Sequence, residues 1–299
     1  MLRLGIVDCD TSHVYAFAQR LNHAGIDQGQ WVDGAQVVAA YVGTSEIHGP
    51  ERIAEFVAKL QATGVELVDR PEDLIGGVDG VLVTSNQGAM HRERATPFIE
   101  AGLPVFVDKP FTSSVEDARA LVALAEHHGG PLISASALRF ATEVVALRAD
   151  DSLGAIRGAD VYTSAHLHEA NPGLFHYGVH GVEMLYTLLG VGCREVACTF
   201  EETGEVVVGR WADGRVGVVR GLRGATVGYG MTLYGEQGIR HETVGTEAVY
   251  RNLLAAIVPV LAGEQPSSIS AEELVEVVAF QEAALASRQT GGRPVEIRV

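Results

Sequence analysis

Four stretches of this chain carry side chains able to do chemistry. In Val105-Phe106-Val107-Asp108-Lys109-Pro110-Phe111 an apolar run meets an acid, a lysine and a proline. Pro110 fixes its own φ, lacks an N–H and biases Lys109 away from the helical region, so a strand ends at Val107 and the chain turns. Lys109 then stands at the carboxyl end of a strand, the edge where open α/β sheets bind ligands; a solvated turn lysine is the plainer alternative. A second stretch, from His166 and His168 to His176 and His180, is dense in imidazole. His176 and His180 are four apart, which puts them on one helix face with Glu183. Gly178 and Gly181 leave the neighbouring surface bare for a ligand or another backbone. With Glu169 or Glu183 as carboxylate, His166, His168, His176 and His180 make a nitrogen-rich set suited to a metal; hydrogen-bonded or surface histidines are the alternative.

The third stretch is Val7-Asp8-Cys9-Asp10-Thr11-Ser12-His13. It follows the first strand, where doubly wound sheets carry G-x-G-x-x-G, and Asp8, Asp10 and His13 take the glycine places. Glycines there let a pyrophosphate approach the helix N-terminus. Each carboxylate in their place repels it by ~1 kcal/mol at ~4 Å in water, and by more near a protein surface. Asp10 and Ser12 can instead cap the helix themselves. The second strand ends Tyr41-Val42-Gly43-Thr44-Ser45 with no acid for an adenine ribose; Glu46 comes late. The fourth stretch is Thr84-Ser85-Asn86-Gln87-Gly88 with His91 beyond it. It offers amide and hydroxyl groups to a cofactor or substrate, or is a helix-capping loop with an exposed histidine.

Elements that position these groups can be read from periodicity. Strands at 2–7, 37–42, 65–68, 78–84, 105–107 and 132–135 alternate with helices at 13–23, 50–61, 89–101 and 114–128. That alternation implies right-handed βαβ units and a parallel, doubly wound sheet. From Gly154 the pattern changes. A long strand at 155–164 and a helix ending at Leu189 precede strands at 194–201, 205–211, 215–221 and 225–234, whose turns hold Thr203-Gly204, Asp213-Gly214 and Arg223-Gly224. The spacing predicts an antiparallel meander. Helices at 246–261 and 271–289 and a strand at 294–299 close the chain. The expected architecture is a Rossmann-like domain over 1–136 and an α+β domain over 137–299. The open sheet face of the second would expose apolar surface and assemble two or four copies.

Composition narrows the partners. A formal net charge of −16 disfavours nucleic acid and anionic membranes. Cys9, Cys193 and Cys198 suggest no disulfide framework and fit a reducing compartment. The first residues read as a strand, not a signal peptide, and no apolar run nears membrane-spanning length, so a cytoplasmic protein with a small-molecule substrate is expected.

With these residues in hand, the chain resembles the Gfo/Idh/MocA family over nearly its whole length, in the order of its landmarks. Val105 to Pro110 looks like the family's strand ending in Glu-Lys-Pro, with Asp108 for the glutamate. Ser85-Asn86 through His91 looks like the loop and histidine after its fourth strand. Arg139-Phe140 and Leu153-Gly154-Ala155-Ile156-Arg157 look like its domain crossover, and His176-Tyr177-Gly178-Val179-His180 like its Asp-x-Gly-x-His segment. The resemblance implies an oxidoreductase using NAD or NADP on a sugar, polyol or related hydroxy compound. Lys109 would orient substrate and polarise the reacting oxygen, and His180 would be the general acid/base, with His176 beside it in the place of the family's aspartate. Asp10, Thr11, Ser12, His13, Ser85, Asn86, His91 and Asp108 would meet the cofactor, and Arg139, Tyr162 and Glu183 the substrate. The missing glycines and His176 depart from the family pattern. A metal-assisted lyase, hydrolase or isomerase, or a non-catalytic sugar-binding relative, is the alternative.

Overall fold

The structure is a computed structural model that describes residues 1–224 and 228–299. Its chain divides into two compact units, one of 1–112, 116–135 and 250–269, the other of 113–115, 136–249 and 270–299.

The first unit runs β1 (Leu2–Val7), α1 (His13–Leu21), β2 (Ala35–Tyr41), α2 (Pro50–Gln61), β3 (Glu66–Val68), β4 (Gly80–Val83), α3 (His91–Glu100), β5 (Val105–Val107), α4 (Val115–His128) and β6 (Leu132–Ser134). The sheet order is β3-β2-β1-β4-β5-β6, and every pairing is parallel. β4 and β5 are buried along their whole lengths, as strands covered on both faces must be. The order reverses between β1 and β4, which makes the ends of those strands the ligand edge.

The second unit contains α5 (Thr142–Arg148), β7 (Ile156–Ser164), α6 (Val179–Leu189), β8 (Cys193–Glu201), β9 (Gly204–Trp211), β10 (Val216–Leu222), β11 (Tyr229–Gly235) and β12 (Ile239–Val244). After α7 (Val249–Leu261) come α8 (Ala271–Gln289) and β13 (Val295–Glu296). The seven-stranded sheet has the order β12-β11-β7-β10-β9-β8-β13.

This order corrects the expected meander. β8, β9 and β10 are consecutive antiparallel neighbours, as are β11 and β12, but β7 lies between β10 and β11, parallel to the first and antiparallel to the second. Ala159, Val161 and Thr163 of β7 are buried, which fits a central strand; turn spacing after Leu222 could not reveal that insertion. Of the strand expected over 225–234, residues 225–227 lie outside the described residues. β12 went unanticipated because its sequence, Ile-Arg-His-Glu-Thr-Val, is polar and mostly exposed, as an edge strand with one partner permits.

Residues 250–269 follow the second sheet in sequence yet belong to the first unit, so the linear division at residue 136 does not describe the packing. Tyr250 sets its ring against Phe17, 5.8 Å between centroids, and Val258 fills the space over Gly34. Among the described residues no helix is long and apolar enough to cross a membrane.

Candidate active site

In the first unit the ends of β1, β2, β4 and β5 bring together the polar groups singled out in the sequence. Asp8 follows β1 with φ 67°, the left-handed conformation that favours glycine. Its Oδ2 accepts hydrogen bonds from Ser85 Oγ at 2.5 Å and Arg94 Nε at 3.0 Å. Its Oδ1 lies where a side chain at Gly43 would stand, 1.8 Å from an added Cβ, so Gly43 leaves the room that Asp8 occupies. Burial pushes the Asp8 carboxyl above its ordinary value, against the opposing pull of Ser85 and Arg94. Asp10 bridges two loops: Oδ1 accepts the Asn86 N–H at 2.8 Å and Oδ2 accepts from Ser45 Oγ at 2.6 Å. Asp10 is thus not the cap of α1, and the Ser12 side chain makes no cap hydrogen bond either. Thr11 does this instead, its Oγ1 accepting the His13 N–H at 3.4 Å.

His13 reaches the end of β5. Its Nδ1 donates to Asp108 Oδ2 at 2.5 Å, while its ring stacks on Phe17 and meets Tyr250 edge-on. Asp108 Oδ1 accepts the Lys109 N–H at 2.8 Å. Burial alone would raise the Asp108 carboxyl, but the His13 and Lys109 charges and these hydrogen bonds bring it down to about 2. An ionised Asp108 is an acceptor only, which fixes the proton on His13 Nδ1. Lys109 is 8% exposed, ahead of a cis Lys109–Pro110 bond.

His91 is fully buried, neither an exposed helix residue nor a group facing a cofactor. Its Nε2 lies 2.7 Å from the Ser85 carbonyl and its Nδ1 2.8 Å from that of Pro110, tying the loop after β4 to the turn after β5. Its first-turn position hid this, because both partners come from other loops.

In the second unit Ser136 and His180 pair. Ser136 Oγ lies 2.7 Å from His180 Nδ1 and also accepts the Leu138 N–H at 3.2 Å. Ser136 is completely buried, so the hydroxyl is held in place and in turn holds the ring. α6 begins at Val179, which leaves His176 in the turn ahead of the helix and not on a shared face with His180. The bare surface at Gly181 meets the sheet itself: an added Cβ would come within 2.7 Å of Thr163 and 3.0 Å of Val219. Around His180 stand rings, with Tyr177 at 6.0 Å and Tyr229 at 5.9 Å between centroids. Beyond Tyr177 come His166 and His176, and His168 lies 5.4 Å from His176.

This wall of rings includes the four histidines of the expected metal alternative. Among the described residues no three His, Cys, Asp or Glu side chains could hold a metal ion, and His166, His168, His176 and His180 are spread along the wall instead of converging. Arg139 and Glu183, expected to meet substrate, are buried and bonded to each other, with Glu273 2.5 Å from the guanidinium. Burial would lower the Arg139 guanidinium, and the two carboxylates more than offset it, so its charge is kept. Tyr162 lies on the wrong sheet face. It pairs with Gly230 and covers it, whereas its neighbour Thr163 faces α6. Tyr229, next to Gly230, is therefore the β11 ring on the His180 side.

Ser136, Ser45, Arg94 and Tyr229 were missed in the sequence. Ser136 alone left a local trace, as a cap two residues before Leu138; the others meet their partners only through the fold.

Two measurements test these assignments. Arg139→Ala strands the buried Glu183 carboxylate and the half-buried Glu273 and is expected to cost about 3–5 kcal/mol in urea unfolding; unchanged stability with weakened substrate binding would return Arg139 to a substrate role. For Asp108, the folded carboxyl titrates near 2 and the unfolded one near 3.8. The stability this gives, roughly 2 kcal/mol, is complete above the unfolded value and lost as pH falls toward the folded one. Asp108→Asn is expected to be less stable than the parent protein at pH ~6, with a gap that narrows by pH ~3. A gap independent of pH would mean an ordinary carboxyl.

Comparison with known proteins gives this arrangement its relatives. Residues 11–136 match the GFO_IDH_MocA model, described as an oxidoreductase family with an NAD-binding Rossmann fold. Inositol 2-dehydrogenase of Agrobacterium fabrum is 38% identical over 101 residues, which is 33% of this chain and 28% of that protein. Across the curated relatives, the matched stretches span 28% to 60% of their lengths. Over the whole chain the likeness is one of fold. A probable dehydrogenase from Thermotoga maritima has a TM-score of 0.81 at 19% identity, covering 99% of each chain. Scyllo-inositol dehydrogenase from Lactobacillus casei, solved with NAD(H) and scyllo-inositol, has a TM-score of 0.80 at 14% identity, again over 99% of each. Residues 11–136 are thus similar to the NAD-binding Rossmann domain of the Gfo/Idh/MocA oxidoreductases, and over the whole chain the likeness is one of fold.

Proposed function

We propose that the protein is an NAD(P)-dependent oxidoreductase acting on a CH–OH group of an inositol or related polyol. The observation that carries this reading is the Ser136–His180 pair, an imidazole whose Nδ1 is fixed by a buried hydroxyl at 2.7 Å within a wall of rings. The names of the inositol dehydrogenase relatives support the substrate class.

The donor set of the first unit fits an anionic cofactor. The Ser45 and Ser85 hydroxyls, the Asn86 N–H and the Arg94 guanidinium converge on carboxylates as they would on phosphate oxygens, beside a helix head whose N-cap residue, Ser12, makes no side-chain cap bond. In this reading the residues that hold the cofactor are Thr11, Ser12, Ser85 and Asn86, with Asp10, His13 and Asp108 shaping the edge around them. Bound nicotinamide supplies the hydride acceptor. Lys109 orients the substrate and polarises its oxygen. Nε2 of His180 takes the hydroxyl proton on oxidation and returns it on reduction, while Ser136 keeps the ring from turning. His176 packs against Tyr177 and supports the wall in which His180 works.

The second unit carries substrate recognition and assembly. The sheet face opposite α6 bears Val206, Val208, Val218 and Tyr162, and two or four copies associate through it. The buried thiols of Cys9, Cys193 and Cys198, none bridged, support a cytoplasmic setting.

Lys109→Ala and His180→Ala are expected to bind nicotinamide as the parent protein does, read by reduced-nicotinamide fluorescence, and to lose polyol turnover by ~10²–10⁴-fold. Ser136→Ala should lower kcat and displace its pH profile. Full turnover in both Lys109→Ala and His180→Ala would remove these residues from the chemistry. Multi-angle light scattering should report a dimer or tetramer; a monomer would refute the assembly.

A further inference from the structure

We propose that Asp8 and Asp10 form a built-in anion at the phosphate seat of the first unit, and that a dinucleotide binds only in competition with them. This rests on the oxidoreductase reading and adds to it a determinant of cofactor affinity peculiar to this chain.

The two carboxylates already hold the donors that an incoming diphosphate needs. Asp10 takes the Asn86 N–H and Ser45 Oγ; Asp8 takes Ser85 Oγ and Arg94 Nε, and its own carbonyl accepts from Thr84 Oγ1 at 2.6 Å. Arg94, the cation of this set, is shared further with Glu93 at 2.6 Å. The arrangement is built in. Asp8 is an aspartate at φ 67°, and its carboxylate fits because position 43 is glycine. Its Oδ1 is buried and makes no hydrogen bond among the described residues. A buried acceptor without a donor, seated against Gly43 in the turn after β1, adds negative charge to the edge that a diphosphate must approach.

The two acids act differently. Asp10 bridges loops through its side chain alone, and a rotamer change releases Ser45 and Asn86 N–H to a phosphate. Asp8 has its backbone at φ 67° and its carboxylate seated against Gly43, so it stays and repels. Its charge is met by one guanidinium, which a diphosphate would have to share. The chain therefore binds dinucleotide weakly and exchanges it readily.

The test is binding, not turnover. NADH by fluorescence and ADP-ribose by calorimetry are titrated into the full-length protein, into Asp10→Asn, which keeps the shape and the Ser45 contact, and into Asp8→Gly, which suits the backbone at φ 67°. Each variant is expected to bind both probes ~10-fold tighter or more, with a steeper loss of affinity as salt rises. Equal or weaker binding in both variants, with NADH bound by the parent protein, overturns the built-in anion and leaves the oxidoreductase reading standing. Failure of all three proteins to bind either probe overturns both.

Discussion

A carboxylate taken out of water must be met by charge and donors or give up its proton-free state. Asp108 keeps its charge because His13, Lys109 and the Lys109 N–H surround it. In exchange it fixes the tautomer and plane of the His13 ring, and through that ring the head of α1 is joined to the end of β5. The same device recurs along the edge. Asp8 binds the turn after β1 to the loop after β4 and to α3, and Asp10 binds it to the loops after β2 and β4. Asp8, Asp10 and His13, the last held by Asp108, thus put a network of internal contacts where an ordinary dinucleotide turn has glycines.

The second unit solves a related problem with the opposite charge at the centre. Arg139 is buried between Glu183 and Glu273, joining the turn after Ser136 to α6 and α8. That junction sets the distance between Ser136 and the start of α6, and with it the hydrogen bond that holds His180. A buried triad of this kind adds little net stability, yet removing one member leaves charge unmet, so its value lies in fixing geometry.

Much of this was legible in the sequence. Alternating apolar runs gave the parallel sheet, the proline after Lys109 gave the strand end, and the glycines around His180 marked a close-packed helix. What escaped notice shares a physical cause. Asp8 meets Arg94, Ser136 meets His180 and Asp10 meets Ser45 across long stretches of chain, and a residue's periodicity reports its own backbone and burial, not its distant partner. Arg139, Glu183 and His91 look ligand-facing in sequence because a polar residue in a patterned region looks the same whether it points at substrate or at a partner within the fold. The insertion of β7 between β10 and β11 escaped for the topological counterpart of that reason.

The return of residues 250–269 to the first unit has a consequence for how the protein is made. Tyr250 covers the rings of His13 and Phe17 and lies under the Arg20 guanidinium, 5.4 Å from the ring centroid. Those surfaces belong to the first helix, but the residue that shelters them is synthesised after the whole second sheet. The N-terminal unit therefore cannot complete its packing as it leaves the ribosome. It must wait, with one aromatic flank of α1 uncovered, until the chain has passed residue 250, and a gene fragment ending at residue 136 would encode an unfinished body and not a transferable module.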